Sequence, residues 1–300
     1  MYYCGWDGGG SKTQVCLMDQ QGSVLVVQDF GPLNPNGASR ETVINTIADC
    51  IEFMKAQPDG LSACRGLVIG IAGVSNRSVA QLVEDTVRSF GYTGNLKLLG
   101  DQEIALAGAV NGPGAVLIAG TGSVCFGKDQ AGQPFRCGGY GYLIDDCGSG
   151  YAIGRDILTA VIRAFDGRGP ETSLTKGVYE ALGVDSISQM ITWLYSPDTG
   201  KKQVAALAPL LLAAIEQQDA AALQIAEKAA SDLSDMVIAA WNKAGMRGGE
   251  VALCGSIFAY YPMIRESVCH RLQAALPEIA VIEPRGSASY GAARLAMNAF

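Results

Sequence analysis

The stretch Asp7-Gly8-Gly9-Gly10-Ser11-Lys12 near the start of the chain is nearly repeated in the middle as Ala119-Gly120-Thr121-Gly122-Ser123. In each copy an apolar run enters the glycine turn and a second β-type run leaves it. This pattern predicts a duplicated β-hairpin whose tip has no bulky side chains. Backbone N–H groups at the tip can close on an anion, and glycine tolerates the φ > 0 positions that we expect such a nest to need. Two such loops imply a nucleotide held between two halves.

The bulk composition indicates a globular protein. The 300 residues are 49% hydrophobic and 17% charged, which is enough for one large or two medium domains with their own cores. The net charge of −7 argues against a nucleic-acid surface or an anionic membrane as partner, because either would need a basic stripe. We therefore expect a small-molecule substrate.

The cysteines and the single histidine narrow the chemistry further. Nine cysteines are scattered without a C-x-x-C pair, so neither a disulfide framework nor a zinc ribbon is predicted. Without a signal peptide or a long apolar run, we expect a reducing, cytoplasmic location. His270 is the only histidine, which argues against Ser-His-Asp and Cys-His mechanisms and leaves carboxylates as acid-base groups.

The order of predicted elements repeats as well. The first half has the order β-β-β-α-β-α-β-α, with strands near 2–8, 13–19, 23–29, 67–72 and 96–99 and helices near 39–56, 78–90 and from 102. After Gly112-Pro113-Gly114 the three-strand opening restarts. Residues 150–245 have a helical pattern, with Ala-, Leu- and Gln-rich stretches at 203–217 and 219–244. Strands at 251–254 and 279–282 then flank a helix at 261–276, and a final helix covers 287–299.

These residues carry a family resemblance. The sequence resembles the sugar kinase, heat-shock protein 70 and actin superfamily and, within it, the N-acetylglucosamine and glucosamine kinases of the BadF/BadG/BcrA/BcrD ATPase family. The order and spacing of short matches over some 290 residues carry the resemblance, although no single match is specific. The matching stretches are Asp7-Gly8-Gly9-Gly10-Ser11, Asn34-Pro35-Asn36, Gly70-Ile71-Ala72-Gly73, Gly100-Asp101, Ile118-Ala119-Gly120-Thr121-Gly122-Ser123, Gly138-Gly139-Tyr140-Gly141, Asp145-Asp146-Cys147-Gly148-Ser149-Gly150, Leu253-Cys254-Gly255-Ser256 and Tyr290-Gly291-Ala292-Ala293.

The resemblance implies an α/β fold of two ribonuclease-H-like (actin-like ATPase) domains, with ATP in a cleft and the halves closing on a sugar. We expect an N-terminal domain over 1–112 and a C-terminal domain over 113–300. The second domain carries a helical insert at about 155–245, and the final helix 287–299 packs back on the first domain. The activity implied is transfer of phosphate to the 6-hydroxyl of an amino sugar. A homodimer is also expected, with the insert offering a possible dimer face.

The resemblance assigns ATP to residues of three glycine-containing stretches. Taken singly, each glycine turn is more often a plain hairpin, and Gly-Ser after a strand is a plain turn. Asp7 ends its strand beside the first loop, where its carboxylate either caps the turn or holds Mg²⁺ through water, as phosphoryl transfer requires a cation. The expected ATP-binding residues are Gly8, Gly9, Gly10, Ser11, Lys12, Gly120, Thr121, Gly122, Ser123, Gly255 and Ser256.

Asp101 is the predicted catalytic base. It lies where an apolar strand passes into a helix, so an aspartate capping the helix is the alternative interpretation. A kinase acting on a sugar hydroxyl needs a carboxylate that orients the hydroxyl and accepts its proton. In the resembled kinases, an aspartate at the end of this strand has that role.

The predicted sugar-binding residues are Asn34, Asp101, Gly139, Tyr140 and Asp146. Asp145 and Asp146 are adjacent, so at most one of them is expected to face a given pocket, and the resemblance favours Asp146. The alternatives are a surface-loop acid for Asp146, an Asx-turn for Asn34 and simple packing for Tyr140.

Two other classes of function stay open at this point. In activator ATPases of the same group, a cysteine after a similar aspartate begins an iron-sulfur site, and Cys147 follows the aspartate pair here. The Cys-Ala-Ala-Gly-Thr-Gly string of those activators is absent, so an electron-transfer activator of a CoA-ester reductase or dehydratase is the second hypothesis. A nucleotide-binding regulator without transfer activity is the third.

Overall fold

The first compact unit combines Met1–Asn111 with Pro284–Phe300 in the computed structural model, which describes residues 1–34 and 37–300. The strands of this unit are β1 (Tyr2–Gly8), β2 (Thr13–Met18), β3 (Val24–Phe30), β4 (Cys64–Ile71) and β5 (Asn95–Leu99). The helices are α1 (Arg40–Lys55), α2 (Arg77–Ser89), α3 (Asp101–Ala109) and the C-terminal helix (Ala288–Ala299), with a 3₁₀ turn at Gly60–Ala63.

The second unit is Gly112–Glu283. Its strands are β6 (Gly114–Ala119), β7 (Ser123–Lys128), β8 (Pro134–Gly138), β9 (Gly249–Cys254) and β10 (Ile279–Ile282). A helical region between β8 and β9 contains α4 (Gly150–Phe165), α5 (Leu174–Leu182), α6 (Ile187–Leu194), α7 (Lys201–Ala205), α8 (Leu210–Glu216) and α9 (Ala220–Lys243). Between β9 and β10 lie α10 (Ser256–Tyr260) and α11 (Pro262–Ala275).

Both units contain the same five-stranded sheet. The strand order is β3-β2-β1-β4-β5 in the first unit and β8-β7-β6-β9-β10 in the second. In each sheet the first three strands form an antiparallel meander, and the last two strands run parallel to the first strand of the unit. The predicted duplication and the α/β class with two ribonuclease-H-like units are therefore confirmed.

Local sequence signals explain most of the elements of the first unit. Ser39 caps α1 by accepting a hydrogen bond from the N–H of Thr42, as the sequence predicts. The apolar residues of α1 recur at helical spacing and are buried against the sheet. In the C-terminal helix, Ala292 and Ala296 are fully buried, and the small side chains let the helix approach β1 until Gly5 touches the backbone of Ala293.

Two elements differ from the prediction. Strand β4 begins at Cys64 rather than near 67, because Gly66 extends the pairing and its lack of a Cβ leaves room for the ring of Phe300. The stretch 203–217 is two helices, α7 and α8, because Pro209 fixes its own φ and has no N–H to continue a helix.

The two cores are separate clusters of apolar side chains. In the first unit, β1, β2 and β4 supply residues such as Trp6, Leu17 and Ile69 beneath α1 and α2. In the second, Leu117 and Leu253 from the sheet pack with Leu233 and Trp241 of α9. All nine cysteines are free thiols. Among the described residues, no helix has the length and apolar character needed to span a bilayer.

Candidate functional site

The two glycine loops have the same closure. In the first unit the β1–β2 ladder ends at the pair Gly8–Thr13, and the N–H of Gly9 donates to the carbonyl of Lys12 at 3.0 Å. In the second, the β6–β7 ladder ends at Ala119–Ser123, and the N–H of Gly120 donates to the carbonyl of Gly122 at 2.9 Å. The second turn is one residue shorter. Each hairpin thus leaves a tip of small residues at the end of a central strand.

The glycines of these loops are not needed for φ > 0, which corrects the expectation from the sequence, and of the first three only Gly8 and Gly9 are needed for space. None of Gly8, Gly9, Gly10, Gly120 and Gly122 has a positive φ. A Cβ on Gly8 would lie 2.5 Å from the side chain of Ile71, and one on Gly9 would lie 2.8 Å from the carbonyl oxygen of Lys12. A Cβ on Gly10 would meet nothing within 4 Å, so the open space of the first loop is at Gly10.

The side chain of Lys12 points to the neighbouring strand. Its Nζ lies 2.6 Å from Asp29 Oδ2 on β3, where Gln14 Nε2 also donates to Asp29. Both partners of this ion pair are about half exposed. Ser11 beside it is exposed at the tip of the loop. The ammonium of Lys12 is therefore paired with Asp29 on the sheet. The part of the loop that is open to a ligand is its backbone.

Asp7 and Asp101 lie at the same edge of the first sheet. Asp7 pairs with Gly70 of β4, and Gly70 pairs with Leu99, the last residue of β5. Asp101 follows two residues later, so carboxylates from two parallel strands flank a glycine on the strand between them. Burial and the negative charge of Asp101 together raise the pKa of Asp7 to about 6, against a smaller opposing effect of Lys12. The sheet therefore concentrates negative charge at this edge.

Asp101 is the first residue of α3 and not its cap. Gly100 holds the N-cap position, and its N–H donates to the side chain of Glu103 at 3.1 Å. Asp101 Oδ1 accepts the N–H of Gln102 at 2.9 Å. Because Gly100 and Glu103 form the capping interaction, the structure does not require Asp101 for that purpose.

Asn34 lies against the first glycine loop. The N–H groups of Leu33 and Asn34 both donate to the carbonyl of Gly9 at 3.2 Å, and the carbonyl of Asn34 accepts the N–H groups of Gly37 and Ala38. Pro35 and Asn36, which are part of the matching stretch, lie outside the described residues. The predicted sugar residue Asn34 and the predicted phosphate loop are thus joined by backbone hydrogen bonds.

Asp145 and Asp146 in the second unit have different partners. Asp145 Oδ2 accepts the N–H of Tyr140 at 3.0 Å and so closes the loop that precedes it. Asp146 is 3% exposed and has a φ of 57°, a left-handed conformation that is uncommon for a residue other than glycine. Its Oδ1 accepts the N–H of Ser123 at 3.4 Å, and its Oδ2 lies 2.6 Å from Lys201 Nζ. The structure thereby joins Asp146 to the second glycine loop.

The loop around Gly139 and Tyr140 is held by glycine conformations and by Arg136. Gly138, Gly139 and Gly141 all have positive φ values, which explains the glycine-rich sequence. The guanidinium of Arg136 donates to the carbonyls of Gly138 and Gly139 and lies 5.0 Å from the centre of the Tyr140 ring. Tyr140 is 68% exposed, so one face of its ring is available to a ligand.

Gly255 and Ser256 lie beside the second glycine loop. Gly255 has a φ of 103°, and a Cβ there would lie 2.3 Å from the carbonyl oxygen of Ala119. Ser256 Oγ is 3.9 Å from where a Cβ of Gly120 would be. The end of β9 is therefore in contact with the end of β6. The structure brings together Gly120–Ser123, Gly255–Ser256 and Asp146 in one unit, and Asp7, the first loop, Asn34 and Asp101 in the other.

Sequence reasoning missed Lys201 and Arg136. Lys201 begins a short helix 55 residues after Asp146, and no motif connects the two. Arg136 belongs to an alternating strand in which a charged residue is ordinary. The thiol of Cys147 has a raised pKa, first because of burial, and the carbonyl of Cys147 accepts Ser123 Oγ at 2.6 Å. Within residues 1–34 and 37–300, no group of three His, Cys, Asp or Glu side chains is placed to hold a metal ion.

Comparisons with known proteins extend over nearly the whole chain. Residues 4–296 match the model of the BadF/BadG/BcrA/BcrD ATPase family. The N-acetylmuramic acid/N-acetylglucosamine kinase of Clostridium acetobutylicum is 31% identical over 299 residues, which cover 98% of each chain. The N-acetyl-D-glucosamine kinase of Dictyostelium discoideum is 29% identical over 311 residues, which cover 99% of this chain and 98% of the relative. A solved structure from Chromobacterium violaceum is 27% identical, covers 98% of each chain and has a TM-score of 0.77.

Proposed function

Because this chain belongs to the BadF/BadG/BcrA/BcrD ATPase family, we propose that it is an ATP-dependent amino-sugar kinase that transfers the γ-phosphate of ATP to the 6-hydroxyl of N-acetylglucosamine or glucosamine. The observation that carries the proposal is the end-to-end similarity, at 31% identity, to a curated kinase of N-acetylmuramic acid and N-acetylglucosamine. The curated relatives compared above are sugar kinases, so an electron-transfer activator is not favoured.

Asp101 is the base in this proposal. It is the first residue of α3, directly after β5, and its negative charge acts on Asp7 at the same edge of the sheet. A carboxylate there orients the sugar hydroxyl and takes its proton as the phosphoryl group moves in line.

The two glycine loops bind the phosphates of ATP. The N–H groups of Gly10, Ser11, Thr121 and Gly122 have no hydrogen-bond partner among the described residues, whereas those of Gly9 and Gly120 close the turns. Gly255 and Ser256, packed against Ala119, take the adenosine part. The residues proposed for ATP are Gly8, Gly9, Gly10, Ser11, Lys12, Gly120, Thr121, Gly122, Ser123, Gly255 and Ser256.

Mg²⁺ fits the carboxylate edge of the first unit. Burial and, after it, the charge of Asp101 raise the pKa of Asp7, and carboxylate oxygens are the ligands that Mg²⁺ prefers. Asp7 would hold the ion through water. Bound there, Mg²⁺ would offset negative charge on the phosphate oxygens during transfer.

Asn34, Gly139, Tyr140 and Asp146 complete the sugar-binding residues. Asn34 is fixed against the first loop, and Asp146 offers a buried carboxylate to a sugar hydroxyl. The exposed ring of Tyr140 offers an apolar face to a pyranose. Nine free thiols support a reducing, cytoplasmic location. We also retain a homodimer through the helical region as part of the proposal.

A coupled ADP-release assay tests this function. Wild-type protein with ATP and Mg²⁺ is expected to release ADP with N-acetylglucosamine or glucosamine faster than with glucose, and N-acetylmuramic acid is included in the screen. Asp101→Asn should lower kcat by at least about a hundredfold while ATP affinity survives, because an amide can donate and accept hydrogen bonds but cannot take the proton. Near wild-type turnover in this variant would remove Asp101 from the mechanism, and faster turnover of glucose would indicate a general hexose kinase.

A further inference from the structure

The head group of Lys201 lies on the second glycine loop. A Cβ on Gly122 would be 2.7 Å from Lys201 Nζ and 2.9 Å from Asp146 Oδ2, so the ammonium and the carboxylate both cover the glycine. Lys201 is the first residue of α7, in the helical region, and its side chain is 30% exposed. The ring of Tyr142, 5.9 Å from Nζ, is a second contact that holds the ammonium at this place.

Asp146 depends on this ammonium. The side chain of Asp146 is 5% exposed, and its hydrogen bond from the N–H of Ser123 is long at 3.4 Å. Burying a carboxylate costs free energy unless a cation or several strong donors replace the lost water. The Lys201 ammonium, at 2.6 Å, is the strong partner. The left-handed backbone of Asp146 directs the carboxylate toward it.

An ammonium has three N–H donors and Asp146 accepts one of them. The part-exposed position of Lys201 leaves the remaining donors available next to the N–H groups of Thr121 and Gly122. Lys12, the lysine of the first loop, is likewise paired with one carboxylate, that of Asp29 on β3. Lys201 thus gives the second loop a lysine as well, although its own glycine motif contains none.

We propose that Lys201 is a binding and positioning residue of the kinase: its ammonium binds an oxygen of the β- or γ-phosphate of ATP at the second glycine loop and holds the carboxylate of Asp146 in position for the sugar. This proposal rests on the proposed function. It makes one side chain a shared partner of nucleotide and sugar. When a phosphate oxygen binds the ammonium of Lys201, the ion pair between Lys201 and Asp146 weakens. The carboxylate of Asp146 is then more available to a sugar hydroxyl.

The test compares Lys201→Met with Lys202→Met, which removes the same charge from the exposed neighbour on α7. Calorimetry without sugar measures the Kd of ATP and of AMP. Lys201→Met should weaken ATP binding by about tenfold or more, the loss expected for a charge-assisted hydrogen bond, and should leave AMP binding within about twofold. Lys202→Met should bind both nucleotides like the wild type.

A second variant covers the case in which Lys201→Met fails to fold with Asp146 unpaired. The double variant Lys201→Met/Asp146→Asn removes both charges, and it should show the same loss of ATP affinity. ATP affinity within twofold of wild type in either folded variant would overturn the proposal, as would equal losses for ATP and AMP. Wild-type protein that binds ATP but phosphorylates no sugar would refute the proposed function and still leave the phosphate role of Lys201 measurable. Wild-type protein that binds no ATP would overturn both.

Discussion

The fold changes the pKa of Asp7, and experiment can follow the effect of this change on stability. Burial and the charge of Asp101 raise its pKa from 3.8 to about 6. A carboxyl with a raised pKa stabilises the folded protein fully below its unfolded pKa, and this contribution is lost as the pH rises through about 6. Above that pH the charged carboxylate of Asp7 lowers the stability of the folded protein. A cation bound at this site would offset the charge.

Asp7→Asn should therefore be more stable than the wild type above pH 6, by at most about 3 kcal/mol at roughly 1.4 kcal/mol per pKa unit. The difference should shrink toward zero as the pH falls to about 4. Urea unfolding at several pH values measures it, and Asp49→Asn on the exposed face of α1 controls for net charge. Parallel pH profiles for wild type and Asp7→Asn would contradict the account of this residue.

Single residues were predictable where a local pattern marks them. Asp7 and Asp101 stand out in the sequence because each follows an apolar run, and both lie at one edge of the first sheet. The conformation of the loop glycines was predicted wrongly, because a Gly-rich string gives no indication whether glycine is needed for φ or for space. Lys201 could not be predicted, since it lies 55 positions after Asp146 and their contact depends on how the helical region folds between them.

At the scale of elements, the first β-hairpin offers a direct test of phosphate binding. Gly10→Val adds a branched side chain where nothing lies within 4 Å, and Gly10 does not have a positive φ, so the fold should survive. ATP affinity should fall by about tenfold or more, because the side chain occupies the place of phosphate oxygens. Gly9→Val is less suitable, since its Cβ would meet the carbonyl of Lys12.

Calorimetry with ATP, together with a thermal unfolding curve, measures the effect of Gly10→Val. Gly120→Val makes the same test in the second hairpin, where a Cβ would have Ser256 Oγ as its nearest neighbour at 3.9 Å. Unchanged ATP affinity in a folded variant would show that the altered loop is only a hairpin. A large loss of stability would instead show that the glycine serves the fold.

Elements were predicted well where periodicity and caps agree. Ser39 before α1 and Ser287 before the C-terminal helix belong to a residue type that favours the N-cap, and each side chain accepts an N–H of the first turn. Strand β4 was predicted too short, because Arg65 and Gly66 are weak strand residues and the reason for Gly66 is the distant Phe300. Pro209 marks the break between α7 and α8. The prediction missed this break because the stretch is rich in Ala and Leu, which favour one continuous helix.

At the scale of the whole molecule, the duplication supplies two similar sheets. The side chains at the ends of the strands differ between the two units. The first unit contributes the carboxylate edge of Asp7 and Asp101. The second contributes Asp146, Lys201 and the contact of Gly255 with Ala119. The family match spans both units.

The central claim is phosphate transfer to the 6-hydroxyl of an amino sugar, and phosphorus NMR of the product tests it most directly. The protein is incubated with ATP, Mg²⁺ and N-acetylglucosamine, and the spectrum is recorded without proton decoupling. The account predicts a new phosphate-ester signal split into a triplet by the two protons on C6. A doublet, which indicates an ester on a ring carbon with one proton, or release of inorganic phosphate with no sugar ester, would contradict it.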